Sequence, residues 1–186
     1  MKVLDVGSGK NSNAAGILSI PEGTEYELTT LDANPTDEPD YVHDITEEFP
    51  ANLLDAFDLV VCSHVLEHIP RIKVPSTFKN IHKTVKNMGE LWVLVPSMEW
   101  AAREIVEGRH SLAVEANVFG SQMDDYQYHK CSFTLSALRH LFDEAGLLVK
   151  KAYQSPYLVA FDNVEQLCIQ NIVIGARVDG LGEKSV

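Results

Sequence analysis

The chain has little of what marks several protein classes. Cysteine is scarce: Cys62, Cys131 and Cys168 are odd in number and far apart, which excludes a disulfide scaffold and the paired spacing of a zinc finger. They are expected to be reduced, mostly buried thiols. No stretch approaches the roughly 18 apolar residues of a membrane-spanning helix; the longest candidate, 166–176, contains Gln and Asn. Asp5 interrupts the apolar N-terminal stretch and no small-residue cleavage site follows it, so no secretory leader is expected and the cytoplasm is the default location. Repeats, low-complexity tracts and long Gly/Ser linkers are lacking too. At 186 residues, 45% hydrophobic and 23% charged, one globular domain with a substantial core is expected.

Positive charge is missing from much of the first third. Residues 11–70 carry 13 of the 27 acids and neither Lys nor Arg. Such a field repels a phosphate backbone, and the near-neutral remainder has no dense basic run, so nucleic acid is disfavoured as a partner. Most of these acids are expected to form a solvated face.

What the chain does have is an alternation of short β-like runs with amphipathic helical stretches, which predicts an α/β fold with a mostly parallel sheet. Strands are expected over 2–6, 26–32, 41–43, 59–63, 91–95, 147–153 and 167–177. The runs 59–62 and 91–95 are continuously apolar, as in strands covered by helices on both faces. Between them Phe78, Ile81, Val85 and Met88 recur at helical spacing after Pro75 and before Gly89, predicting a crossover helix. Another helix is expected from an N-cap at Thr134, through Leu138, Leu141 and Phe142, to Gly146 at its C′ position. A short helix is expected over 14–20. The stretch 97–133 is the least regular, with one helix over 100–106 and a polar, aromatic loop over 119–130; long irregular insertions are often functional. Residues 1–178 are expected to form the single domain, and 179–186 a disordered tail.

Chemistry-bearing residues gather at expected strand ends. Asp5-Val6-Gly7-Ser8-Gly9 closes the first strand with an acid and two spaced glycines, which permit positive φ and close approach of a ligand to the backbone. Asp32 ends the second strand, where an acid can accept both hydroxyls of a ribose. Asp44, with Ile45, follows the third, where the carboxylate can accept from an exocyclic amine while Ile45 packs on a flat ring. Asp44 also fits a helix N-cap, because Glu47 stands at capping-box spacing.

In these motifs the chain resembles the class I S-adenosylmethionine-dependent methyltransferases, particularly the group acting on small molecules (methyltransferase type 11-like). The motif at 5–9 is similar to the family's first motif, Asp32 to its ribose acid, and Asp44-Ile45 to its adenine-contacting pair. Residues 57–69, ending Ser63-His64-Val65-Leu66-Glu67-His68-Ile69, resemble its fourth strand and following loop. Residues 89–96 resemble the fifth strand, and 133–147 the last helix and sixth strand.

The resemblance implies a doubly wound, Rossmann-like, seven-stranded, mostly parallel sheet with an antiparallel last strand and helices on both faces. It implies S-adenosylmethionine as cofactor, contacted by Asp5, Gly7, Ser8, Gly9, Asp32, Ala33, Asp44, Ile45, Ser63, His64 and Glu67. Methyl transfer by SN2 to an O, N or C nucleophile of a small-molecule acceptor follows. Two departures stand out. Asn11 occupies a position where the family usually has glycine, and the chain starts almost at the first strand, where many members carry lid helices. Coverage of substrate is therefore expected from 97–133, or from a second copy or partner protein completing the lid.

Candidate bases are His64, His68, His129 and Glu67, with His64 and His129 favoured as catalytic. His68 reads more readily as a structural residue at a helix start. Trp100, Phe119, Tyr126 and Tyr128 are candidates to line the pocket. No metal site is expected, since Glu67 and His68 are adjacent and should point apart. Two other functions compete. One is a noncatalytic cofactor-binding regulatory or partner subunit. The other is a nicotinamide dinucleotide enzyme, against which stands Ser12 in place of a third glycine.

Overall fold

The computed structural model describes residues 1–161 and 164–180. Its elements in chain order are β1 (Lys2–Val6), α1 (Ala14–Ile17), β2 (Glu27–Asp32), β3 (Tyr41–Val42), β4 (Phe57–Ser63), α2 (Val74–His82), β5 (Val85–Pro96), α3 (Met98–Val106), α4 (Leu112–Phe119), α5 (Leu135–Glu144), β6 (Leu148–Phe161) and β7 (Val164–Ala176). The seven strands form one sheet in the order β3-β2-β1-β4-β5-β7-β6. Strands β1 to β5 pair in parallel, while β7 runs antiparallel to both β5 and β6. This is the doubly wound, Rossmann-like arrangement that the motifs imply.

The alternation of side chains along β1 divides the core. Leu4 and Val6 point to one face, where they join Phe78 and Ile81 of α2 and Leu138 and Phe142 of α5. Val3 points to the other, against Ala14, Leu18 and Val61. Phe78 and Phe142 meet edge to face at 5.0 Å. The first face is thus deeply covered. The second is capped by α1, which is shorter than the expected 14–20 helix because Ser19 turns left-handed at φ 52°; Trp92 stays half-buried there.

Other boundaries also differ from sequence expectation. Helix α2 ends at His82, and Val85 and Met88 belong to β5, where Val85 pairs with Phe57. Gly89 lies inside β5, not past a helix end, where a Cβ would stand 3.0 Å from the carbonyl oxygens of Phe57, Asp58 and Lys86. Helix α4 was not expected; Ser111 starts it by accepting from the Val114 N–H. Strand β6 runs well past residue 153 despite Pro156, which an edge strand tolerates. Thr134 and Gly146 flank α5 as expected, with the Thr134 hydroxyl accepting from the Ala137 N–H and Gly146 at φ 75°. All three cysteines are unpaired. The tail expected at 179–186 lies, from residue 181 on, outside the described residues. Among those described, no helix is long and apolar enough to cross a membrane.

The segment 97–133 is tied to the sheet through buried polar groups. Asn171 of β7, fully buried, donates to the Phe133 carbonyl at 3.0 Å and accepts from Gln154, which also donates to the Ser97 hydroxyl at 2.7 Å. Glu99 accepts from the Leu135 N–H at 2.6 Å.

Replacing Phe142 by Ala should lower the unfolding free energy by about 3–5 kcal/mol, as large aromatic truncations in tight cores do. Urea unfolding followed by circular dichroism reads this; a loss below about 1 kcal/mol would remove Phe142 from the centre of the core.

Candidate functional site

The strand order reverses between β1 and β4, and in doubly wound sheets ligands bind at that switch point, beyond the carboxyl ends of the strands. Two loops meet there. The chain leaves β1 through Gly7 at φ 71°, whose N–H bonds the Leu31 carbonyl at 2.7 Å, and Gly9 at φ 57°. It leaves β4 through His64, a non-glycine residue held left-handed at φ 56°, with its N–H on the Leu94 carbonyl at 2.8 Å. Left-handed backbone costs a β-carbon residue roughly 1–2 kcal/mol, so His64 is strained where the site forms. Val65 then packs into the space that Gly7 leaves: a Cβ on Gly7 would stand 2.2 Å from Val65 Cγ2.

Around these loops opens a cavity of about 610 Å³, within the range of small-ligand sites. Of the residues expected at the cofactor, Gly7, Gly9, Asp32, Ala33, Asp44, Ile45 and His64 line it. Asp32 accepts from the Gly9 N–H on one oxygen and the Asn34 N–H on the other, both at 2.9 Å. Each oxygen keeps a lone pair for a further donor. Gly9 has open space where a Cβ would lie, as a backbone that must meet a ligand requires. Asp44 forms no capping box; its carboxylate accepts from the Thr46 N–H at 2.8 Å in a tight Asx turn, and Ile45 beside it is buried.

The remaining expected contacts lie elsewhere. Asp5, only 4% exposed, sits beneath the glycine turn and accepts from the Ser12 hydroxyl at 2.5 Å. Burial, opposed by that hydrogen bond and reinforced by Asp32, pushes its carboxyl up. Ser8 and Ser63 line neither this cavity nor its neighbour. Lys10, His43, Lys73 and Lys130 do line the first cavity and were not singled out by any motif. Tyr126 and Gln127 close it from the 97–133 segment; Trp100 and Phe119 line neither cavity.

A second cavity, about 330 Å³, adjoins the first, with His64 and His68 in both walls. Here Glu67, His129, Asn117 and Tyr157 meet. Glu67 is 1% exposed, and its Oε1 stands 3.4 Å from His64 Nδ1. Burial alone would push the Glu67 carboxyl up; the imidazoles of His64, His68 and His129 outweigh it and hold the group below the ordinary carboxylate range. Burial likewise opposes charge on His64, but Glu67 and the Gln170 amide oxygen, 2.8 Å from Nε2, raise its pKa. His129 differs: burial lowers its pKa, only partly opposed by Glu67. The expectation that Glu67 and His68 point apart is overturned, because one ligating atom of each lies within 4.8 Å of one from His129.

A methyltransferase-domain family model matches residues 1–151. No curated protein matches the chain in sequence. Among solved structures, a SAM-dependent methyltransferase from Methanosarcina mazei superposes at TM-score 0.65 and 14% identity, covering 95% of this chain and 92% of that one. The Burkholderia thailandensis 1,6-didemethyltoxoflavin-N1-methyltransferase, solved with its substrate and S-adenosylhomocysteine, gives 0.57 and 15%, covering 96% and 71%. A complex of the Haloferax volcanii Trm112 methyltransferase activator with a methyltransferase gives 0.61 and 14%, covering 95% and 82%. Such identities speak for the fold. The chain belongs to the methyltransferase-domain family. It shares the class I fold of solved SAM-dependent methyltransferases.

Gly7→Ala should combine left-handed strain with a clash on Val65 and destabilise the fold by about 2–4 kcal/mol. Thermal unfolding tests this; an unchanged melting temperature would show that the two loops are not interlocked.

Proposed function

We propose that the chain transfers a methyl group to an O, N or C nucleophile of a small-molecule acceptor, with the larger cavity holding the cofactor and the smaller one the acceptor. The observation that carries this reading is Asp32: a carboxylate fixed by two backbone amides, with capacity to spare, on the wall that also holds Gly9 and Ile45. Asp32, with Ala33 beside it, binds the ribose hydroxyls. Asp44 and Ile45 take the adenine, the carboxylate accepting from its amine and the buried side chain packing on its face. Gly7 and Gly9 follow the amino-acid end, with Asp5 bracing their turn through Ser12. His64 flanks the methionine part, and Glu67 positions His64.

S-adenosylmethionine, when bound, supplies a methyl carbon made electrophilic by its sulfonium. The protein's main work is alignment, which can account for roughly 7–11 kcal/mol of barrier reduction. The 97–133 segment serves as lid, which Asp124, Tyr126, Gln127 and Lys130 on the cavity wall support. Proton removal falls to His129. Its Nδ1–H donates to the Asn117 carbonyl at 3.0 Å, so the neutral ring keeps a lone pair on Nε2. His64, held towards its charged form by Glu67, positions rather than accepts. The cytoplasm is the proposed location.

Asp32→Ala should abolish saturable binding of S-adenosylhomocysteine in calorimetry and with it labelled-methyl transfer to small molecules of a cell extract. Undiminished binding by that variant would overturn the assignment of the first cavity. With an acceptor that must lose a proton, kcat/KM should rise with pH through a limb below 6.5, the ordinary imidazole value, because burial lowers the pKa of His129. Below that limb His129 is protonated and inactive as a base. His129→Gln should remove the limb and lower the rate by about 100- to 10,000-fold; a pH profile unchanged in the variant would exonerate His129.

A further inference from the structure

Glu67 poses a problem that methyl transfer does not solve. Its carboxylate is almost wholly buried, and although His64 Nδ1 stands 3.4 Å from Oε1, neither oxygen makes a well-formed hydrogen bond among the described residues. A buried anion is costly unless a cation or several donors meet it. What surrounds it is two imidazoles beyond His64, from opposite sides of the cleft. His68 follows directly in the turn after β4, and His129 comes from the loop closing the 97–133 segment. Their rings stand edge to face at 4.9 Å.

Backbone bonds, not side chains, build this meeting. The Glu67 carbonyl accepts from the Lys130 N–H at 2.7 Å and the Cys131 N–H at 3.1 Å, pinning the two segments together. Each ring is then oriented by a main-chain acceptor: His68 Nδ1–H donates to the Tyr128 carbonyl at 3.1 Å, and His129 Nδ1–H to the Asn117 carbonyl at 3.0 Å. Carbonyls cannot donate, so both protons sit on Nδ1 and both Nε2 lone pairs are free. This is how metal-binding histidines are commonly held.

We propose that Glu67, His68 and His129 bind a divalent transition-metal ion of the zinc, cobalt or iron(II) class. Two imidazole nitrogens and one carboxylate suit such ions, and three protein ligands leave a position open towards the second cavity. One potential ligating atom of each residue lies within 4.8 Å of the other two, and the three draw together to reach ordinary metal–ligand lengths on binding. Magnesium, which favours an oxygen shell, does not suit the set. Where the smaller cavity holds the acceptor, the open position would take one of its oxygens and lower that oxygen's pKa, so that in the metal-bound chain the ion takes over the work that His129, then a ligand, does as a base in the metal-free one. That consequence rests on the methyl-transfer reading; the binding itself does not.

The test uses the full chain, stripped with a chelator and titrated with Co²⁺ and Zn²⁺ by calorimetry and visible absorption, with S-adenosylhomocysteine binding measured on the same samples. One ion per chain is expected, with cobalt bands of a low-coordinate site displaced by Zn²⁺ but not by Mg²⁺. Glu67→Gln and His129→Ala should each weaken binding by more than about 100-fold, beyond the loss typical of removing an outer hydrogen-bond partner. The exposed His140→Ala should leave it intact. A wild-type chain that binds S-adenosylhomocysteine but no ion overturns the metal site and leaves the cofactor reading standing. Stoichiometric metal without S-adenosylhomocysteine binding does the reverse. Metal affinity unchanged in both variants, with native circular dichroism, also overturns the proposal.

Discussion

The close packing of Val65 against Gly7 holds the two halves of the site in register. It fills the space that a side chain at residue 7 would need, and so interlocks the loops leaving β1 and β4 at the point where the sheet's strand order reverses. Val65 reaches that space because His64 turns left-handed. The strain there is offset by the hydrogen bond from the His64 N–H to the Leu94 carbonyl and by the full burial of Leu66 two residues on. From this junction the rest follows. The Gly9 N–H orients Asp32, His64 faces both cavities, and Glu67 is delivered beneath it.

The strands and the first cavity were legible because their signals are local. A continuously apolar run such as 59–62 reads as a buried strand wherever it pairs, and an acid at its neighbour's tip falls on the carboxyl edge by construction. Asp32 and Gly9 needed nothing further. Val85 and Met88 show the limit: their spacing fits a helical face, but pairing of Val85 with Phe57, distant in sequence, draws the segment into β5. Helix α4 did carry a signal, a Ser111 cap ahead of Leu112, Ala113 and Val114, obscured by the polar residues around it. Proline is disfavoured inside a sheet, and only the place of Pro156 on the sheet's edge makes the extension of β6 tolerable.

The second cavity was beyond local pattern. Glu67 and His129 are brought together by two backbone hydrogen bonds to the Glu67 carbonyl, an interaction in which side-chain identity has no part. Gln170, which meets His64 Nε2, lies on β7 and reaches the site only because that strand inserts beside β5. Residues of this kind leave no spacing signature. Their roles come from topology, which also explains why His68 reads from sequence as a structural residue and in space stands in the walls of both cavities.

Electrostatics couples the two compartments through His64. On one side its ring faces the cavity assigned to a sulfonium; on the other it faces the Glu67 anion, which raises its pKa. A positive charge in the first cavity opposes protonation of His64, while the Glu67 charge promotes it, so the ring's state reflects what occupies each side. Glu67 thus biases the charge that His64 presents to the first cavity, and its burial beneath the ring serves that placement.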